Sequence, residues 1–165
     1  MAWNAPSTWT SGAILTAAQL NAQLRDNMLE LAPFFSAFSS WTPQVDQGAT
    51  TNIAKTVNQG KYLKIGKLAI LLAQVTMTAG GTAGSPVKIM SSSWSAVGTF
   101  SGQPHGGGFI YDASTTTYYN VSLQATGSDF QFIPDIATNQ AWGSNPNVAL
   151  ASGDVIKFFT VVELT

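Results

Sequence analysis

The sequence has no cysteine and few charges, and each shortage excludes a class of site or partner. Without cysteine the chain has no disulfide framework, no thiolate nucleophile and no cysteine-ligated zinc. Lysine and arginine together number 7, lie scattered along the chain and leave a formal net charge of -1. Because binding to nucleic acid requires clustered basic residues that track phosphates, we exclude a nucleic-acid partner.

The chain also lacks a hydrophobic run long enough to cross a bilayer. The longest apolar run, residues 68–73, is far short of the ~20 residues that a membrane-spanning helix needs, and it predicts a buried strand instead. Residues 1–6 have neither the basic segment nor the apolar segment of a secretion signal. We therefore expect no membrane insertion, and a protein that is not secreted but stays in the cytoplasm or leaves it only by cell lysis.

The length and composition predict one ordinary domain with a short appendage. The chain has 165 residues, and single domains cluster at roughly 100–150 residues. Hydrophobic residues make up 45% of the chain and charged residues only 9%, so serine, threonine, asparagine, glutamine and glycine must supply the polar surface. We predict an arm and a helix in residues 1–40, followed by a β domain in residues 41–165.

The first part of the chain combines an irregular arm with a clear helix start. Residues 1–12 carry Trp3, Pro6 and Trp9 among small polar residues, a composition that forms no regular element and needs a partner surface. Thr16 and Gln19 have the spacing of a capping box, which predicts a helix from Ala17 onward. No glycine, proline or β-branched residue interrupts residues 17–31, and a proline follows at position 33.

The apolar residues of this helix have the spacing of a coiled-coil seam. They fall at heptad a and d positions, with an asparagine at one d position: Ala17, Leu20, Leu24, Asn27 and Leu31. A helix of about fifteen residues is marginal alone in water, so the stripe must pack on something. The spacing is about equally compatible with two packing partners: the β domain of the same chain, and sister helices in a parallel bundle. Asn27 favours the bundle, because one polar residue in an apolar seam fixes register and subunit number.

From Trp41 onward the periodicity changes from helical to alternating. Strands are predicted at residues 51–57, 61–78 with a break near Gly66, 86–90, 94–100, 107–112, 117–125, 129–134 and 154–164, with turn residues between them, Gly60 among these. Short strands with no helical pattern between them predict a mainly β protein with one N-terminal α-helix, in which the β part is an antiparallel, jelly-roll-like β-sandwich.

The last predicted strand is apolar on both faces. Ile156, Phe158, Val162 and Leu164 lie on one face, and Val155, Phe159 and Val161 lie on the other. In a two-layer monomer one face of a strand normally meets water, so the second apolar face predicts a contact between subunits or a covering helix. A contact between subunits also accounts for the helix. We therefore predict that Val155, Phe159 and Val161 form a sheet contact in an oligomer.

Several segments resemble virion proteins of tailed phages. Residues 9–27, WTSGAILTAAQLNAQLRDN, resemble the opening of many minor tail and other virion-associated proteins, which begin with a tryptophan-containing arm, a TAAQLN helix start and an LRDN continuation. Residues 41–43 (WTP), 60–67 (GKYLKIGK), 108–112 (GFIYD) and 151–156 (ASGDVI) resemble the β domain that follows in those proteins. The resemblance covers nearly the whole chain, and the helix motif is its most specific part.

The resemblance implies a structural component of the virion, either a capsid decoration or head fibre, or a minor tail protein. Its implied partners are capsid or tail proteins and further copies of the chain. We expect a homotrimer that attaches through Trp3, Pro6 and Trp9 and displays a single sandwich outward, which favours a compact appendage over a long tail fibre. The alternative is a receptor- or glycan-binding tail protein that mediates adsorption to the host.

The sequence offers little for catalysis. A glycosidase needs two carboxylates at a set separation, but most aspartates of the β part stand beside turn residues, where aspartate commonly bonds the local backbone. His105 is the single histidine and lies in a glycine-rich segment, and no G-x-S-x-G motif occurs. We expect no enzymatic activity, no metal and no cofactor.

Aromatic residues in the predicted loops are candidates for binding a glycan without cleaving it. Exposed rings are the usual platforms for the apolar faces of sugars, and Tyr111, Tyr118 and Trp142 are the candidates. The interpretation that we favour is structural: the two tyrosines are half-buried residues of the sandwich, and Trp142 fills one end of its core.

Overall fold

The computed structural model describes Thr8 and residues 10–32, 38–90, 104–126, 129–135 and 140–163. The chain divides into two compact units, Met1–Ala37 and Phe38–Thr165. The first unit carries the helical segment and the second carries the β-sheet, so each unit is described by itself.

The helical segment begins where the capping box predicts. It consists of α1 (Ala17–Leu20), a π-helical stretch (Asn21–Asp26) and α2 (Asn27–Leu31). The Thr16 hydroxyl accepts the backbone N–H of Gln19 at 3.3 Å, and the Gln19 side-chain oxygen accepts the backbone N–H of Thr16 at 2.9 Å. This reciprocal pair satisfies two N–H groups of the first turn and confirms the predicted helix start.

The prediction of a regular α-helix across residues 17–31 was wrong in the middle. The Asn27 side-chain amide donates to the carbonyl oxygen of Gln23 at 3.2 Å, which is the acceptor that the Asn27 backbone N–H uses in an α-helix. A side chain that takes an i−4 carbonyl competes with the backbone ladder. The wider π turns change the angular spacing of the side chains, so the heptad spacing no longer defines one straight stripe.

The second unit is one nine-stranded antiparallel sheet. Its strands are β1 (Ser39–Ser40), β2 (Gln44–Gln47), β3 (Lys55–Ile65), β4 (Leu68–Met77), β5 (Val87–Met90), β6 (Pro104–Asp112), β7 (Thr117–Thr126), β8 (Asp129–Pro134) and β9 (Val155–Glu163). Their order in the sheet is β1-β3-β4-β9-β6-β7-β8-β5-β2, with every neighbouring pair antiparallel. The predicted fold class, mainly β and antiparallel with one N-terminal helix, is confirmed.

The sheet curls strongly on itself. Strands β1 and β2 form its two edges, yet only residues 41–43 join them, and such a link spans at most about 14 Å. A flat sheet of this size is roughly 38 Å wide. The rings of Phe132 on β8 and Phe158 on β9 also meet edge to face at 5.7 Å, although two strands separate β8 from β9 in the sheet. This curled sheet is compatible with the predicted jelly-roll-like sandwich.

The core lies inside the curl and is built by alternation. Successive residues of β4, β7, β8 and β9 are alternately buried and accessible, as the period-2 pattern predicts. Large members of the resulting cluster are Leu71, Val75, Ile110, Leu123, Phe130, Phe132, Trp142, Ile156 and Phe158. The outward positions of the same strands form one continuous outer face.

Two details of the predicted strands need correction. Gly60 was expected in a turn, but it lies within the continuous strand β3. A Cβ at this position would overlap with the backbone oxygen of Trp41, so glycine is needed there for a close approach of two backbones. Gly66, with φ of 59°, does form the predicted break between β3 and β4. The short polar strands β1 and β2 were not predicted, and the strand predicted at 94–100 lies outside the described residues.

Candidate interaction surfaces

The predicted virion anchor lies outside the described residues. Trp3, Pro6 and Trp9 belong to segments of which the structure gives no placement. Their role in attachment therefore stays a prediction that rests on the sequence alone.

The leucines of the predicted helix seam are exposed. Leu24 is 57% exposed, and Ala17, Leu20 and Leu31 are also exposed. Asn27 behaves differently, since it is only 7% exposed and its amide bonds within its own helix. The leucines therefore offer an apolar surface for association, whereas the role of Asn27 in fixing register stays a prediction.

The predicted sheet contact lies on the outer face of β9. Phe159 is 49% exposed, and Val155 and Val161 are half-buried, while their neighbours along the strand point into the core. Phe159 pairs in register with Leu72 of β4, and Val161 pairs with Ile70. Apolar side chains thus continue from β9 onto β4. The three predicted residues share one outward surface, and their role in an oligomer stays a prediction.

Two of the three aromatic glycan candidates come together. The ring centroids of Tyr111 and Tyr118 are 4.6 Å apart, and Tyr118 is 66% exposed. Phe109 joins them, with its ring centroid 5.6 Å from that of Tyr118. The sequence analysis did not name Phe109, although the alternation along β6 places it on the same face as Tyr111. The result is an aromatic cluster, Phe109, Tyr111 and Tyr118, on the outer face of β6 and β7.

Trp142 is not part of this cluster. Its side chain is 0% exposed and meets the ring of Tyr119 edge-on at 5.9 Å. The Trp142 backbone donates to the Phe132 carbonyl at 2.6 Å and accepts from the Val87 N–H at 2.9 Å, and these bonds hold its segment against the core. This burial agrees with the favoured interpretation of Trp142 as a core residue, and its candidacy for a sugar contact is corrected, because a buried indole has no face on which a sugar can stack.

Asp112 and Asp154, two of the buried carboxylates among the described residues, hold turns together. Asp154 accepts the backbone N–H groups of Ala113 at 2.9 Å and Ala151 at 2.8 Å. Asp112 accepts both the N–H and the hydroxyl of Ser114, at 2.9 Å and 2.6 Å. These bonds are the local turn contacts that aspartate commonly makes, and they account for both side chains without a catalytic role.

The pKa values of the two carboxyl groups shift in opposite directions. Burial raises the pKa of Asp154, the charge of Asp112 raises it further, and the two backbone N–H donors offset part of that shift. Burial also acts to raise the pKa of Asp112, but the hydrogen bonds from Ser114 and Thr115 outweigh it and leave that pKa lowered. Asp112 therefore stabilises the fold in its charged form.

Replacement of Asp112 by asparagine should have a pH-dependent cost. We expect Asp112→Asn to lower the free energy of unfolding by about 1–2 kcal/mol at pH 7, because a charged acceptor of three donors becomes a neutral one. Since the folded pKa lies below the ordinary 3.8, this contribution is present above 3.8 and is lost as the pH falls through the folded value. Thermal melts at pH 7 and pH 2.5 should show the difference shrinking. The exposed Asp135→Asn is the control, and an undiminished difference at pH 2.5 would refute the assignment.

The described part of the chain has no evident metal centre or membrane segment. Among its residues, no group of three or more histidine, aspartate or glutamate side chains is placed to hold a metal ion. Within the same part, no helix combines the length and the apolar character needed to cross a membrane. Comparisons with family models, with curated proteins and with solved structures gave no significant match. The curled antiparallel sheet and its exposed apolar and aromatic surfaces are therefore the basis for the functional argument.

Proposed function

We propose that this chain is a structural component of a tailed-phage virion. In this proposal three copies associate through the helical segment, the arm at Trp3, Pro6 and Trp9 attaches them to the particle, and the β domain is displayed outward. The proposal covers a capsid decoration or head fibre as well as a minor tail protein. Its partners are further copies of the chain and a capsid or tail protein.

The observation that carries the proposal is the exposure of the leucines in the helical segment. Leu20, Leu24 and Leu31 remain exposed in the single chain. Full burial of one such side chain stabilises by about 1.5–3 kcal/mol, whereas a helical segment of this length is marginal alone. Association with sister segments removes these leucines from water and supplies the packing that the helix needs.

The sequence motif supports the same conclusion independently. The capping box that starts the helix falls within the TAAQLN segment that resembles virion-associated proteins. The motif thus coincides with a real structural element rather than with an irregular stretch. Association through this element and attachment through the residues before it form one consistent proposal.

A charge in the helical seam should dissociate the oligomer. We expect the full chain to sediment as a trimer, and Leu24→Asp to weaken its association about 100-fold or more, because three leucines lose their burial and three carboxylates face one another. Analytical ultracentrifugation measures the change. Ala18→Asp, which places the same charge at an exposed non-seam position of the first turn, is the control.

The outcomes separate assembly from folding. Circular dichroism should show that the β domain of Leu24→Asp is intact, since Leu24 belongs to the other compact unit. A monomeric unmodified chain would refute assembly. A Leu24→Asp protein that remains trimeric would place the contact outside the helical seam.

A second candidate function is recognition of a host receptor or glycan by the displayed domain. The observation that favours it is the exposed aromatic cluster of Phe109, Tyr111 and Tyr118, since exposed rings are suited to the apolar faces of sugars. If recognition is the main function, Tyr118→Ser should reduce adsorption to host cells about tenfold with unchanged incorporation into particles. If the domain only decorates the particle, adsorption should not change.

A further inference from the structure

A row of outward residues crosses five neighbouring strands of the sheet. In strand order β3-β4-β9-β6-β7 these residues pair in register as Gln59, Gln74, Lys157, Phe109 and Asn120. Their neighbours on β4, β7 and β9 alternate into the core, so the row lies on the outer face. We call this row, together with Asn58, Lys61, Tyr111 and Tyr118, the outer band. Gln59, Gln74 and the nearby Asn58 and Lys61 lie at its β3–β4 end, Lys157 lies at its centre, and the aromatic rings lie at its β6–β7 end beside Asn120.

A β-bulge adds an extra amide to the band. The pairing of β3 with β4 shifts between Val57 and Gln59, which leaves Asn58 without a register partner. Asn58 and Gln59 are consecutive but both exposed, whereas a regular strand turns alternate residues to opposite faces. The Thr76 hydroxyl donates to the Asn58 side-chain oxygen at 2.8 Å, so Asn58 is on the outer face with Thr76. Bulges commonly redirect side chains in this way beside functional sites.

The amide end of the band forms a groove. It has a volume of about 550 Å³ and is lined by Ser40, Trp41, Thr42, Val57, Asn58, Gln59, Gly60, Lys61 and Gln74. Its wall depends on the close approach at Gly60, whose carbonyl accepts the Trp41 N–H at 3.1 Å. A second hollow of about 210 Å³ contains Gly107, Phe109 and Phe159 and shares Gln59 with the groove. The two depressions therefore meet at Gln59 within one band.

The charges in the band have one sign. Lys61 and Lys157 line the two depressions, and no aspartate or glutamate does so among the described residues. The side chains of Gln59, Lys61, Gln74 and Lys157 form no hydrogen bond or ion pair with any described residue. A contact between copies of this face would bury lysines without acidic partners, which is costly, and lysine is depleted in protein interfaces. The band therefore suits an anionic ligand better than a second copy.

We propose that the outer band binds an acidic glycan. The amides of Asn58, Gln59 and Gln74 offer paired donors and acceptors to sugar hydroxyls, and the two lysines face carboxylates. The aromatic cluster provides a platform for the apolar face of a sugar ring. An acidic peptide does not require such a platform, so the cluster favours a glycan. Because the depressions contain no carboxylate, the band has no acid–base pair for glycoside hydrolysis and serves binding. The inference deepens the recognition function proposed above and rests on it only for outward display.

The test uses the purified full chain and defined probes. An array of uronate-containing, sialylated and neutral oligosaccharides is followed by calorimetry with polygalacturonate, its carboxyl-reduced neutral form and polyglutamate. The band variant is Lys61→Gln/Lys157→Gln. The control is Lys64→Gln/Lys67→Gln, which removes the same charge from exposed positions outside the band. Tyr118→Ser tests the aromatic end, and sedimentation reports the oligomeric state of each variant.

The expected result is binding of at least one acidic glycan, weakened about tenfold in the band variant, several-fold in Tyr118→Ser and less than twofold in the control. The unmodified chain should bind carboxyl-reduced polygalacturonate more weakly than the band variant binds the acidic glycan. Three results would each overturn the proposal: no acidic glycan binds, polyglutamate binds as tightly as the glycan, or the band variant changes the oligomeric state. These results leave the virion proposal untouched, since that proposal depends on particle incorporation.

Discussion

Gln47→Leu should lower the free energy of unfolding by roughly 3–5 kcal/mol, because it removes a buried clamp between distant segments. Gln47 is 0% exposed. Its amide nitrogen donates to the carbonyl oxygens of Ser85 at 3.1 Å and Val148 at 2.8 Å, and its side-chain oxygen accepts the N–H of Leu150 at 2.8 Å. Leucine fills a similar volume but satisfies none of these groups, and each buried group left without a partner costs about 1–3 kcal/mol.

Chemical denaturation of the two proteins measures this loss. Gln74→Leu is the matched control, since Gln74 is half-buried on the outer face and bonds to no described residue, so its replacement should change stability by less than about 0.5 kcal/mol. A loss below 1 kcal/mol for Gln47→Leu would mean that water or neighbouring side chains replace the three bonds. The clamp would then not hold these segments together.

Gly108→Ala should destabilise the β domain by about 3 kcal/mol or more, whereas Gly107→Ala should be nearly neutral. A Cβ at Gly108 would overlap with the backbone oxygen of Lys157 on β9, and a backbone atom cannot move aside without shifting the strand. A Cβ at Gly107 would meet only the backbone oxygen of Val121, at an ordinary 3.5 Å. Alanine at that compatible position also reduces the entropy of the unfolded chain.

The paired design isolates the steric effect from the loss of glycine as such. Both variants add one methyl group to neighbouring positions of β6, and thermal melts under identical conditions compare them. Equal destabilisation of the two would contradict the close approach of β6 and β9. A Gly108→Ala variant as stable as the unmodified protein would contradict the close approach as well, because it would show that β9 can move aside without cost.

Local signals in the sequence predicted the local structure well. The Thr16–Gln19 capping box predicted the start of the helix, and alternation along β9 predicted which of its residues face the core. The predictions failed where a residue's conformation depends on a contact that its local sequence does not reveal. Gly60 looked like a turn residue because its partner, the Trp41 backbone, is remote in sequence, and the helix-forming composition of the segment did not signal the π-helical stretch Asn21–Asp26.

The interaction surfaces were only partly predictable for the same reason. Tyr111 and Tyr118 were named from the sequence because aromatic residues near turns are recognisable by type. The outer band was not, since Gln59, Gln74, Phe109 and Lys157 come together only through the register of four strands. The bulge at Asn58 has no signature in the sequence, and without it only one of the two consecutive amides would face outward.

The most direct test of the central claim is immunogold electron microscopy of intact particles produced by the genome that encodes this chain. An antibody against the full chain should label fixed sites on the head or the tail, because the β domain is displayed outward in the proposed assembly. Deletion of residues 1–12 should abolish this label while the soluble chain stays trimeric. Particles that carry no label, with the unmodified chain found entirely outside them, would contradict a role in the virion.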